Sequence, residues 1–390
     1  MKIAFLVHEF PPQIGGISAR AYRISKGLSE RGHEITVYTS VHPRAPRVER
    51  MDGIKVERYN LLSPHIARFI KAPMMVMPGL FKLFGKKEIV EADIVHSFSF
   101  LMFVSLVAAS LKLVQKKVFI LNPLFFPYYA PRTPRKYIKW SVIPYRLTFG
   151  TAILKSADLL APETSLERES LIRFGIPSDK IRVIPNAINP EDYKRLPEPM
   201  IFRDKYGIDA NEKIVLFLSR PTEYKGIDHL ILAMQDVLRN VKEAKLVVVG
   251  PHLRRPHILR DSLPPNVRDR IIITGPVTEE YKMSAYSAAD VFVLPSKIET
   301  FAIVLLEAAA AGLPIVCTKT GVAPDIVING KNGLFVGWGK VNQLSNAIIK
   351  VLMDSNFRKE AKKRRNLVLK NYDIKTELDQ YERICMQLAR

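Results

Sequence analysis

The chain has 390 residues, 47% of them hydrophobic and 25% charged, which is enough apolar material for two cores and too much for a disordered chain. Its two cysteines, Cys317 and Cys385, make neither a disulfide framework nor a metal-ligand cluster, so both thiols are expected in the core of a reducing, cytosolic protein. The formal net charge of +21 is the unusual total, and it implies attraction to an anionic partner: phosphorylated substrate, acidic membrane surface or nucleic acid.

The first apolar run, 3–7, gives way to His8 and Glu9. It is shorter than the roughly 7–15 apolar residues of a secretory signal and is expected to be a buried strand. A helical pattern over 18–30 and a strand over 35–39 follow. Residues 61–160 then hold fourteen Lys/Arg against four Asp/Glu (14 − 4 = +10), nearly half of the net charge. Bulky apolar residues are interleaved with these charges, as in Arg68-Phe69-Ile70-Lys71 and through 73–84. Cations beside exposed apolar side chains suit a membrane interface, so the expected partner is an anionic membrane surface and not nucleic acid. The plainer alternative is a solvated helix face.

Strands over 94–96, 118–121 and 159–161 alternate with helices over 100–114, 136–155 and 166–173. The most apolar stretch, 98–114, carries three serines and Lys112 and falls short of the roughly 18 apolar residues of a spanning helix. It is expected to be a buried helix. The pattern then restarts, with strands over 214–218, 245–249, 270–274, 291–294 and 315–317. Helices alternate with them over 226–240, 279–288, 302–311 and 343–353. Between the two series lie Pro185-Asn186-Ala187-Ile188-Asn189-Pro190 and Pro197-Glu198-Pro199, a cluster that marks a linker. This alternation predicts an α/β chain of two Rossmann-like domains, each with a parallel sheet covered on both faces. The expected domains are 1–190 and 191–373, facing a central cleft. A last helical stripe runs over 374–388. Ligands of such sheets bind beyond the C-terminal strand ends, which directs attention to the loops there.

Three of those loops carry chemistry. After the strand ending at Leu294 comes Pro295-Ser296-Lys297-Ile298-Glu299-Thr300-Phe301-Ala302-Ile303-Val304-Leu305-Leu306-Glu307. At the helix start, the backbone N–H groups of Thr300, Phe301, Ala302, Ile303 and Val304 lack intrahelical partners and, with the helix dipole, suit a diphosphate. Glu299 and Glu307 are acceptors for sugar and ribose hydroxyls; the plain reading is one N-terminal acid and one surface acid. After the strand ending at Leu218, Arg220 and Lys225 offer two cations that would neutralise charge on a departing nucleoside diphosphate. After the first strand, Gly15 and Gly16 permit close backbone approach to a phosphate or sugar.

The Glu299-to-Glu307 stretch, within Ala289-Asp290-Val291 through Val316, resembles the E-x7-E signature of the retaining GT-B glycosyltransferases of the group-1 type. Arg220 with Lys225-Gly226 resembles that family's Arg…Lys-Gly pair, and Pro12-Gln13-Ile14-Gly15-Gly16 its first-domain loop facing the transferred sugar and diphosphate. The resemblance covers nearly the whole chain, loosely over 41–160. It implies a GT-B fold and a retaining, nucleotide-sugar-dependent transferase working without a metal or other cofactor. Glu299 would contact the donor sugar and Glu307 the ribose. Arg220 and Lys225 would stabilise the leaving group, and Val277, after Gly275-Pro276, would contact the base. The acceptor would be a glycan or a lipid-linked sugar, met by a peripheral protein at the inner face of the membrane. The helix over 374–390 resembles the one that crosses back onto the first domain. Two departures stand out. The family has Gly where this chain has Ala302. It also often shows His-x-His where this chain has His96 and Phe98, so His96 is a candidate for catalysis without its usual companion. The rival readings are another GT-B sugar-nucleotide enzyme, such as an epimerase or phosphorylase, and a non-enzymatic basic module binding membrane or nucleic acid.

Overall fold

The computed structural model describes residues 1–13, 15–62, 76–125, 146–251 and 253–389. These form two compact units: Met1–Asn186 with Lys375–Arg390, and Ala187–Ile374. The first half of the predicted helix over 136–155 lies outside the described residues, and its second half is helical, as Arg146–Gly150 and Thr151–Ser156; residues 63–75 and 126–145 of the basic, apolar sequence expected at a membrane also lie outside. Within the described part of that sequence, Pro78–Gly85 is a 3-10 helix that buries Leu80 and Leu83 and leaves Phe81 exposed.

The first unit is built on seven strands: β1 (Lys2–Leu6), β2 (Glu34–Ser40), β3 (Val48–Met51), β4 (Ile54–Tyr59), β5 (Ile94–Phe98), β6 (Val118–Asn122) and β7 (Leu159–Leu160). Their order is β3-β4-β2-β1-β5-β6-β7. All pairings are parallel except β3–β4. β1 shows why: Ile3 and Phe5 enter the core on one face of the sheet while Ala4 and Leu6 enter the core on the other. A strand with no solvated face needs no polar alternation. Helices α1 (Gly16–Glu30), α2 (Phe103–Gln115) and α3 (Ser165–Arg173) supply part of that cover.

Strands β3 and β4 were not expected. They form a hairpin on Asp52-Gly53, whose φ values of +48° and +79° match a two-residue turn that needs both central residues left-handed. The Asp-Gly pair carried that information, but the flanking Val48-Glu49-Arg50-Met51 is too polar to read as a strand.

The second unit has six parallel strands: β8 (Lys213–Leu218), β9 (Ala244–Val249), β10 (Ile271–Gly275), β11 (Val291–Leu294), β12 (Ile315–Cys317) and β13 (Gly333–Phe335). Their order is β10-β9-β8-β11-β12-β13. The longer helices are α4 (Ile227–Asn240), α5 (Glu279–Ala288), α6 (Ile303–Ala310), α7 (Val341–Met353) and α8 (Asn356–Asn371). The order reverses between β8 and β11, so the loops following those two strands flank the point where an open parallel sheet leaves room for a ligand. In the first unit the equivalent reversal lies between β1 and β5.

The last helix, α9 (Ile374–Leu388), buries Tyr381, Ile384 and Cys385 against the first unit's core. Its anchor is a buried ion network around Arg20, which is 1% exposed. Arg20 bonds Glu377 at 2.9 Å, Glu163, the carbonyl of Ile184 at 2.7 Å and the hydroxyl of Tyr381 at 3.2 Å. Arg23 adds bonds to Glu377 and Asn186. Both cysteines are buried and unbridged. No described helix is long and apolar enough to cross a membrane.

Candidate functional site

The loops after β8 and β11 meet in the second unit. β8 delivers Arg220 into an exposed position, and among the described residues no partner is recorded for its guanidinium. Five residues on, Lys225 ends a short turn before Gly226, which takes φ +78° at the start of α4. A Cβ there would lie 2.2 Å from the carbonyl oxygen of Pro295, so only glycine lets the two loops come together. The Lys297 amide donates to the Tyr224 carbonyl at 2.7 Å and fastens them further.

This approach places Lys225 Nζ 2.6 Å from both carboxylate oxygens of Glu299. Their side chains are 13% and 6% exposed. In such a partly desolvated setting the pair is stronger than a surface ion pair, and each group neutralises the other. Lys225 also lies over the Tyr224 ring, 5.9 Å from its centroid.

Helix α6 begins after Ala302, whose backbone is left-handed, with φ +69° and ψ +68°. Among the described residues no acceptor is recorded for the amides of Thr300 to Val304. The helix start therefore holds a run of uncommitted donors at its positive end. Phe301 is buried, and its carbonyl accepts from the Val322 amide at 2.8 Å, which fixes this segment. The close approach of Gly321 completes the packing: a Cβ there would lie 2.5 Å from the Phe301 oxygen.

Glu307 lies further along α6 and is buried. Its Oε1 accepts from Lys282 Nζ at 2.8 Å and its Oε2 from the Tyr286 hydroxyl at 2.8 Å. Both partners belong to α5, and neither was singled out in the sequence. Their spacing of four residues was the available signal, since it places them on one helix face. Val277, in the loop between β10 and α5, is half-buried against the second unit's core. On the far side of Lys297, Trp338 packs edge-on against His229 at 4.6 Å, with Lys297 Nζ 6.0 Å from the Trp338 ring.

In the first unit, Gly15 caps α1 in an extended conformation. A Cβ on it would come within 3.1 Å of a Glu9 carboxylate oxygen, whereas nothing described lies within 4 Å of one built on Gly16. Ile14 is outside the described residues. His96 does not share this loop's setting. It is 1% exposed, with Nε2 2.5 Å from Asn122 Oδ1 and its ring stacked 5.0 Å from Phe98. Burial pushes its pKa down to about 4, against the opposing effect of the Asn122 bond. This buried imidazole packs among the rings of Phe5, Phe98 and Tyr381. Phe98, at the usual histidine position, is part of the same core.

The family described as "Glycosyl transferases group 1" matches residues 200–367, and "Glycosyltransferase Family 4" matches residues 14–192. An uncharacterised glycosyltransferase of Methanocaldococcus jannaschii is 30% identical over 363 residues, covering 92% of this chain and 90% of that protein. A GDP-mannose-dependent alpha-(1-6)-phosphatidylinositol monomannoside mannosyltransferase of Mycolicibacterium smegmatis is 27% identical over 366 residues, 90% of this chain and 88% of that one. The solved structure of sucrose-phosphate synthase from Thermosynechococcus elongatus aligns with a TM-score of 0.79 at 22% identity, covering 100% of this chain and 99% of that one. Two parallel-sheet units of this topology, matched end to end by such relatives, identify the chain as a nucleotide-sugar-dependent glycosyltransferase of group 1 on the GT-B fold.

Proposed function

We propose that the second unit holds the donor and that transfer proceeds with retention of anomeric configuration and without a metal. The observation that carries this reading is the Lys225–Glu299 pair beside the open amides of α6. In the proposal the diphosphate lies on the amides of Ala302 to Val304, with Arg220 and Lys225 as its counter-charges. Lys225 then shares its ammonium between phosphate and Glu299, which frees carboxylate lone pairs for the sugar hydroxyls. Glu307 receives the ribose and Val277 borders the base.

Without an enzymic nucleophile, the acceptor hydroxyl attacks the sugar's anomeric carbon from the face the phosphate leaves. The new C–O bond forms as the bond to the phosphate oxygen breaks, and the departing phosphate takes the hydroxyl proton. Arg220 and Lys225 stabilise the charge on that leaving group, a task a metal would otherwise perform. Trapping a glycosyl group on a carboxylate of the chain would refute this step, and full activity in EDTA is expected.

The acceptor in this reading is a glycan or a lipid-linked sugar at an anionic membrane surface. The M. smegmatis relative is named for a phosphatidylinositol monomannoside acceptor and a GDP-mannose donor, and the basic, apolar sequence of 61–160 is the chain's own support. Sedimentation with anionic liposomes at low salt checks the surface: protein left in the supernatant removes it. For the donor, release of UDP, GDP or ADP is scored across a panel of sugar nucleotides. One donor is expected to stand out, with activity lowered about 100-fold or more in Glu299→Ala and Lys225→Ala, the range seen when a preorganised transition-state contact is lost. Activity that survives both substitutions would overturn the assignment.

A further inference from the structure

Helix α8 carries seven Lys/Arg against one Asp/Glu (7 − 1 = +6) in 16 residues, and neither the family resemblance nor the donor site employs that charge. Its cations divide into two sets. Arg358 donates to the Ala289 carbonyl at 2.9 Å and to Asp290 at 3.4 Å, and Arg365 to the carbonyls of Ala310 and Tyr193. These two fasten the helix above its buried Phe357, Ala361 and Val368. Lys359, Lys362, Lys363, Asn366, Leu367 and Lys370 are exposed. Their steps of three and one keep them on a single helix face, which runs for about 16 Å. Among the described residues no acceptor is recorded for Lys359, Lys362 or Lys370, and Lys363 meets the exposed Glu360 at 2.6 Å. Glu360 is the one acid of the helix. Its carboxyl is held below the usual range by Lys363 first, with Lys331 and Arg364 adding to the effect, so the positive field of this face exceeds what one acid neutralises.

We infer that this face of α8 docks on an anionic lipid bilayer. The inference rests on the reading of an anionic membrane surface as a partner and gives that surface a place in the second unit, on residues other than the basic, apolar sequence of 61–160. The apolar side chains set among the cations favour lipid. Leu367 is 48% exposed with Lys363 and Lys370 a turn to either side, and Met353, 71% exposed, ends α7 three residues before α8 begins. Such a mixture fits the boundary between acyl chains and headgroups. There the lysine stems lie along the apolar layer while the ammonium groups meet lipid phosphates. Nucleic acid fits less well. Single strands are held on aromatic platforms, and the one aromatic residue of α8, Phe357, is buried. A duplex would take the lysines as phosphate contacts and leave Leu367 without use.

The test uses the full chain at low salt with three probes: vesicles of phosphatidylglycerol and phosphatidylcholine, vesicles of phosphatidylcholine alone, and a random-sequence DNA duplex. Cys317 and Cys385 are buried, so Asn366→Cys offers one exposed thiol for an environment-sensitive fluorophore. Its emission is expected to shift to the blue on the anionic vesicles and to stay unchanged on phosphatidylcholine alone. The triple variant Lys359→Gln, Lys362→Gln, Lys370→Gln removes no recorded bond. It is expected to bind anionic vesicles about 100-fold more weakly, at about 5-fold per cation, with an unchanged melting midpoint. Leu367→Gln is expected to weaken vesicle binding by about 3-fold or more and to leave any DNA binding as it was. Wild-type protein that sediments with anionic vesicles while the fluorophore stays silent and the triple variant binds equally well meets the membrane elsewhere, and the inference alone fails. Wild-type protein left in the supernatant removes the membrane reading itself. Tighter binding to the duplex than to the vesicles, untouched by Leu367→Gln, would make nucleic acid the occupant and overturn the inference.

Discussion

Ala302 holds a left-handed backbone at φ +69°, a conformation that costs an L-residue with a Cβ about 1–2 kcal/mol. Glycine would remove that strain but return about 0.4–1 kcal/mol of unfolded-state entropy. Ala302→Gly is therefore expected to raise the second unit's stability by roughly 0.5–1 kcal/mol, read as a higher unfolding midpoint. It also removes the methyl group of the residue whose amide heads the proposed diphosphate site. Nucleoside diphosphate affinity is expected to hold or to rise a fewfold, and a clear fall would argue against those amides as the phosphate site. The motif residues were legible because they sit together in sequence around each strand end. Their partners were not. Lys225 and Glu299 are 74 positions apart, and the contact depends on two backbones closing over Gly226, which no local pattern encodes. His96 is the reverse case: its sequence neighbourhood resembles a catalytic one, while its burial is decided by β1, β6 and α9.

At the level of elements, α9 illustrates how a long-range buried network fastens a terminal helix. Arg20 and Glu377 are 357 positions apart, and both side chains are 1% exposed. Breaking a buried pair from one side leaves an uncompensated charge and costs about 3–5 kcal/mol. Glu377→Ala is thus expected to lower the melting temperature and to make 375–390 accessible to limited proteolysis. An unchanged melting curve with an intact terminus would show that the apolar contacts of Tyr381 and Ile384 suffice. The stripe of α9 was visible as apolar spacing, and the strands of both sheets as β-branched runs, because burial on two faces leaves an unmistakable apolar block. What escaped were elements lacking such a block. β3 and β13 are short edge strands, β4 interleaves its apolar residues with charges, and α8 buries only Phe357, Ala361 and Val368 beneath a run of cations. Residues 63–75 and 126–145, part of the stretch that suggested a membrane face, lie outside the described structure, so that expectation stands on composition.

Across the whole molecule, titration of buried groups gives stability a defined pH profile. Burial lowers His8 and His96 to about 4. The unfolded chain therefore binds protons that the folded chain refuses between about pH 4 and 6.5, and stability rises with pH through that window. Glu167 is pushed up to about 8, by burial first and then by the charge of Glu163. Here the folded chain keeps a proton that the unfolded chain has released, so stability falls between about pH 4.5 and 8. Each proton contributes about 1.4 kcal/mol per pH unit. Two histidines outweigh one carboxyl below pH 6.5 and cease to act above it, which places the melting maximum near pH 6.5. Glu167→Gln is expected to flatten the decline on the alkaline side; a decline that persists would move its cause elsewhere. The donor site remains the central claim, and a crystal of the full chain soaked with the nucleoside diphosphate chosen by the donor panel tests it most directly. The account predicts phosphate oxygens within hydrogen-bonding reach of the Ala302–Val304 amides and of Arg220 or Lys225, with the ribose diol on Glu307. Phosphates bound away from the start of α6, with Glu299 still bonded to Lys225 and Glu307 to Lys282 and Tyr286, would contradict it.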